Sequence, residues 1–147
     1  MTTWLQVPPI DQRNPHWAKT LMGLSPNSTI GQYGCLVSCF SMLSGVTPLQ
    51  MNQAMIANGA YQAGNCPACA ATFDIAKFMA HAPHILDVTN SYPYAPFPAA
   101  SSKRLVDHCK AGGVAVLEVD INPNNSGHDQ HFVLAVSAFG SGGVDNV

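Results

Sequence analysis

Cys35 stands where a polar, turn-prone stretch gives way to an apolar helical pattern, in the run STIGQYGCLVSCFSML over residues 28–43. Leu36, Phe40 and Leu43 recur at helical spacing with Val37 and Cys39 beside them, so one face is expected in the core. Cys35 then opens the helix, where unpaired N–H groups and the positive end of the helix dipole favour an anion. A thiolate is stabilised at such a position, and the thiolate is the nucleophilic form of cysteine. Gly34 removes a side chain just before it, leaving room for a substrate backbone. The same residues also fit a plainer reading, a small buried cysteine beginning a core helix.

Cysteine catalysis needs a base within hydrogen-bond reach, a group that orients the base, and donors for the developing oxyanion. Of the six histidines, His131 is the best placed. It begins the apolar run HFVLAV directly after the polar loop NPNNSGHDQ, so a strand fixed in the core can present its ring to a cleft. Its plainer reading is a polar residue marking a strand end. His128 lies in the loop and is the weaker candidate. His16, His81, His84 and His108 fall in helical or turn contexts and are expected at the surface.

Two other clusters carry no comparable signal. Cys66-Pro67-Ala68-Cys69 is half of a zinc site without a matching second half. It follows a helix and a loop, whereas a redox pair normally opens a helix after a strand. Structural or incidental cysteines are the expectation. Asp120 and Asp129 with Asn122, Asn124 and Asn125 do not follow EF-hand spacing and read as a solvated turn. No metal and no cofactor is called for.

The elements that must position these residues can be read in order. Asn14 as cap and Pro15 at the first helical position predict a short helix ending near Gly23, with Trp17, Leu21 and Leu24 on one face. The Cys35 helix closes at Gly45. Thr47-Pro48-Leu49-Gln50 has the form of a capping box with proline at the first position. That helix carries Leu49, Met51, Met55 and Ile56 and stops at Asn58-Gly59. Thr72 is expected to open a further helix, HILDVT over 84–89 a strand, and Ser101 or Ser102 to cap a helix running to Lys110 and halted by Gly112-Gly113. The valine-rich runs VAVLEVDI and HFVLAVSAF predict two buried strands. A helical first half before an antiparallel sheet is an α+β arrangement.

The 147 residues suit one domain with a real core. A net charge of −2 leaves no basic footprint for nucleic acid. Five cysteines leave at least one unpaired, unlike a disulfide-stapled secreted domain. The opening MTTWLQVPPIDQR lacks the pattern of a signal peptide, and no apolar stretch is long enough to span a membrane.

Taken together, Gln12-Arg13 followed by Trp17, the run Ser28 to Cys35, the Thr47-Pro48 helix start, and a valine strand followed by a polar loop and His131-Phe132-Val133-Leu134 resemble the papain superfamily. The nearest likeness is to bacteriocin-leader-processing (double-glycine) peptidases and their stand-alone bacterial and phage relatives, over roughly Gln6 to Val136. The resemblance implies a nucleophile helix packed on an antiparallel sheet that presents the histidine. It implies Cys35 as nucleophile, His131 as base and a glutamine ahead of the cysteine as oxyanion donor. That role falls on Gln12, since Gln32 is only three residues before Cys35. The third member in the family is Asp or Asn on the strand after the histidine, often followed by proline. Asp145, the expected aspartate, and Asn146 are the residues at hand, on opposite faces of a strand. No proline follows before the sequence stops at Val147, so the orienting residue is one of these two or belongs to a longer natural chain with a further strand. The implied activity is hydrolysis of a peptide or amide bond in a peptide, a protein or peptidoglycan, by a cytoplasmic or virion-associated enzyme. The alternatives are a peptidoglycan amidase or endopeptidase, and a non-catalytic binding or virion-structural domain of the same fold.

Overall fold

Helix boundaries in this chain are set by caps and glycines. The computed structural model describes residues 7–62, 72–73, 99–120 and 130–136. Thr47 and Gln50 form the expected capping box: the Gln50 N–H donates to Thr47 Oγ1 at 3.3 Å, and the Thr47 N–H donates to Gln50 Oε1 at 3.0 Å. The chain divides into two compact units, Pro8–Asp87 and Met1–Val7 with Val88–Val147.

The first unit holds helices α1 (Ile30–Tyr33), α2 (Cys35–Ser44) and α3 (Pro48–Ala57), then a short antiparallel pair, β1 (Tyr61–Gln62) with β2 (Thr72–Phe73). α2 ends at Gly45, whose φ of 67° is the left-handed conformation that glycine adopts without penalty. Six consecutive residues of α2, Leu36 to Ser41, are buried, so the helix is sunk all round instead of along one face. On α3, Met51, Met55 and Asn52 are buried, and Ile56 is exposed.

The helix expected before Gly23 does not form: the Met22 N–H and the Ala18 carbonyl that it would join bond instead to Ser28 and Gly31, and Asn52 holds the chain just beyond. Asn52 Oδ1 accepts from the Gly23 N–H at 2.9 Å and from the Tyr61 hydroxyl at 2.6 Å, and its Nδ2 donates to the Leu21 carbonyl at 3.0 Å. Leu21 also bridges to Thr29. Asn14 does start a turn, accepting from Trp17 and Ala18 N–H, but the chain then runs as turns to an extended crossing. Met22 is buried while Leu21 and Leu24 face outward. Thr72, expected to open a helix, instead forms β2 together with Phe73 and pairs opposite Gln62, consistent with the β-preference of Thr and Phe.

The second unit holds α4 (Ala99–Lys110), β3 (Ala115–Asp120) and β4 (Gln130–Ala135). α4 begins two residues ahead of Ser101, because Ala99 and Ala100 are strong helix formers and carry it past both serines. It stops at Gly112, at φ 87°, with Gly112 and Gly113 N–H groups returning to the Cys109 and His108 carbonyls. β3 and β4 pair antiparallel with Ala115 opposite Ala135 and Val119 opposite His131. Ala135 is buried against Val106 and Cys109 of α4, with Leu117 beside it. The other described apolar residues of both strands are half-buried, not fully buried as their runs suggested. Helices in 30–57 followed by this antiparallel pair make the chain α+β. No described helix is long and apolar enough to cross a membrane. The strand expected over 84–89, the CxxC pair and the loop over 121–129 lie outside the described residues.

Candidate active site

Cys35 is the first residue of α2, and Gly34 separates it from α1. The first N–H of this region to find a helical acceptor in α2's ladder is that of Ser38, which donates to the Gly34 carbonyl at 2.8 Å. The N–H groups of Cys35, Leu36 and Val37 therefore have no acceptor within α2, the usual condition of a helix start. Cys35 itself is half-buried. A Cβ on Gly34 would collide with the Ile30 carbonyl oxygen and lie 2.6 Å from Ile30 Cγ2. Gly34→Ala is expected to cost about 1–3 kcal/mol through this overpacking and to displace the Cys35 turn. Urea unfolding checks it, and an unchanged midpoint would show that the turn is not pinned against Ile30.

Gln12 is brought to the same turn. Its Nε2 donates to the Gly31 carbonyl at 3.1 Å. In an unbroken helix that carbonyl would serve the Cys35 N–H, four residues on. Gly31 is held from its other side as well, its N–H donating to the Ala18 carbonyl at 2.9 Å. A Cβ there would meet the Ala18 oxygen at 2.8 Å, so only glycine lets the two segments close. The segment carrying Gln12 is fixed by its neighbours: the Asp11 carbonyl accepts from Asn14 N–H at 3.1 Å and from Trp17 Nε1 at 2.9 Å. Gln32 is occupied elsewhere, its Oε1 accepting from the Thr29 N–H and hydroxyl at the start of α1.

Ionisable groups are scarce around this turn. From Thr20 to Phe73 the chain has no Asp, Glu, Lys, Arg or His. α2 carries Cys35 and Cys39. Burial, with the Cys35 sulfur nearby as a second cause, pushes the Cys39 thiol up to about 12, leaving it protonated and inert. Burial also pushes the Cys109 thiol up. Any base for Cys35 must come from outside 20–73. His16, in the first unit, is exposed beside Trp17.

His131 lies in the second unit, second residue of β4 and half-buried. Opposite Val119, it shares the ribbon face that carries Leu117 and Ala135, the face α4 covers at its other end. Its four-residue offset from Ala135 is about 13 Å along the strand. His108, on α4, is exposed, with its Nε2 3.1 Å from the Val114 carbonyl.

The structure thus gathers Gln12, Gly31, Gly34 and Cys35 in one unit and sets His131 on a strand of the other. Asp145, Asn146, His128, Cys66 and Cys69 lie outside the described residues. Among the described residues no three His, Cys, Asp or Glu side chains group as a metal site. Sequence reasoning missed Ser38, buried one turn after Cys35, although its place three residues on in an apolar helix was visible. Compared with models of protein families, with curated proteins and with solved structures, the chain matches none.

Proposed function

We propose that this protein is a cysteine hydrolase of papain-like type that cleaves a peptide or amide bond through a thioester. One observation carries the reading: Cys35 opens α2 behind an obligatory glycine, with the Gln12 amide anchored to Gly31 in the turn before it. One Gln12 N–H is spent on Gly31, and the amide retains a second. That second N–H and the Cys35 backbone N–H are the donors for the oxyanion.

The Cys35 thiolate attacks the carbonyl carbon, forming the C–S bond as the carbonyl electron pair moves to oxygen. When the oxyanion collapses, the C–N bond breaks and His131 delivers a proton to the departing amine. His131 then takes a proton from water, which adds to the thioester, and the thiolate leaves with the C–S bond electrons. Asp145 orients the imidazole in this reading. The substrate is a peptide, a protein or peptidoglycan.

Hydrolysis of peptide mixtures and of cell-wall preparations by variants tests the assignment. Cys35→Ala should reduce activity to background, His131→Ala on the order of 10²–10⁴-fold, and Gln12→Ala roughly 10²–10³-fold in kcat. Full activity in Cys35→Ala would end the reading, and activity on cell walls alone would narrow it to peptidoglycan.

A further inference from the structure

Ser38 is 4% exposed, and its Oγ has no hydrogen-bond partner. A buried hydroxyl left unpaired is costly and uncommon. The same helix shows the ordinary solution one turn later: Ser41 Oγ donates to the Val37 carbonyl, four residues back, at 2.7 Å. Ser38 Oγ makes no such bond with the Gly34 carbonyl.

Helical geometry says where the unpaired hydroxyl is directed. Side chains of an α-helix lean toward its N-terminus, and residues three apart share a face with Cβ atoms about 5–6 Å apart. Ser38 therefore lies over the turn that begins with Cys35. No hydrogen bond joins Ser38 Oγ to the Cys35 sulfur in the resting protein; rotation of one or both side chains between staggered rotamers is what would bring oxygen and sulfur together. α2 has ten residues, its first N–H groups have no acceptor within it, and this hydroxyl is a further unsatisfied donor on the Cys35 side.

We propose that Ser38 is a positioning residue for the nucleophile: its hydroxyl donates to the Cys35 sulfur once that sulfur is ionised. The neutral thiol offers a weak acceptor, and the thiolate a strong one. The donor without a partner in the resting protein gains one when the proton leaves. No competing ionisable group faces the pair from the neighbouring helices, since α1 contributes only Tyr33, which is exposed, and α3 contributes none. On α2 the sole other ionisable group is Cys39, held protonated by burial. This deepens the hydrolase reading, but its test reads the thiolate and not turnover, so the two can fail separately.

The test is the pH profile of Cys35 alkylation by iodoacetamide, followed by peptide mapping, in the parent, Ser38→Ala and Ser41→Ala. Ser38→Ala should move the midpoint up by about one pH unit, a roughly tenfold slower reaction on the acid side. It should unfold no earlier than the parent in urea, because it removes an unpaired hydroxyl and installs a stronger helix former. Ser41→Ala should keep the parent profile. Coincident profiles for Ser38→Ala and the parent would overturn the proposal. So would equal displacement in both serine variants, which would mark a general effect of packing.

Discussion

Iodoacetamide at pH 7 should modify Cys35 at least on the order of a hundred times faster than Cys39, although the two are four residues apart on one helix. Cys39 is 2% exposed, and burial pushes its thiol up to about 12. At pH 7 its thiolate fraction is on the order of 10⁻⁵, against a few per cent for an ordinary cysteine. The greater intrinsic nucleophilicity of a more basic thiolate recovers only part of that deficit, a factor of tens. Access widens the gap again, because Cys35 is half-buried at a helix start while Cys39 lies within the sunk portion of α2. Cys109, buried against Ala135, should also lag. Peptide mapping after partial alkylation measures all three. Equal rates at Cys35 and Cys39 would mean that α2 opens readily, and that its N-terminal turn is not a preformed site.

The largest loss of stability is expected at a residue that touches none of the chemistry. Asn52→Ala should cost about 2–4 kcal/mol, since it removes the one side chain that bonds the Leu21 carbonyl, the Gly23 N–H and the Tyr61 hydroxyl together. Asn52 is 2% exposed, so water cannot readily substitute. Gly23 adopts φ 59° beneath the Tyr61 ring, where a Cβ would come within 2.5 Å of Cδ1, so this corner has little room to rearrange. Tyr61→Phe should cost only about 1 kcal/mol, as it removes the bond to Asn52 and keeps the ring. It should also change the alkaline limb. Burial raises the Tyr61 hydroxyl above its ordinary value, so above about pH 10 the unfolded chain releases that proton before the folded one does. Stability from this group is complete below about pH 10 and is lost as pH rises beyond it; the Phe variant lacks that loss. Urea unfolding of the three proteins at neutral and alkaline pH is the measurement. A cost under about 0.5 kcal/mol for Asn52→Ala, the range of ordinary surface substitutions, would refute the clamp.

What was legible in the sequence was what local rules decide. The Cys35 helix start, its Gly45 end, the Thr47 capping box, the Gly112-Gly113 stop and the two valine strands each rest on a cap, a glycine or an alternation confined to a few neighbours. What was not legible depended on partners distant in the chain. Asn14-Pro15 is a sound helix start, yet Ser28 and Gly31, on the returning chain, take the Met22 N–H and the Ala18 carbonyl that the helix would have joined. The burial of Asn52 was hidden for the same reason: a buried asparagine is tolerable only where partners meet it, and a sequence pattern does not show partners. At the site, the apolar spacing of α2 pointed to one buried face and concealed Ser38. Gln12 could be singled out only through a family resemblance. Its anchor on Gly31 reflects the closure of residues 11–18 against 29–34, a contact carried by backbone groups and by Gly31.

The central claim, that Cys35 forms a thioester and His131 drives its hydrolysis, is tested most directly by intact-mass analysis after brief exposure to p-nitrophenyl acetate. The account predicts that in the parent protein the acetyl group is lost within the dead time, leaving the unmodified mass while p-nitrophenol accumulates. In His131→Ala a single acetyl group should form slowly, map to Cys35 and persist, because the deacylating water has lost its base. Acetylation spread over several cysteines, or an adduct on Cys35 that persists equally with and without His131, would contradict it.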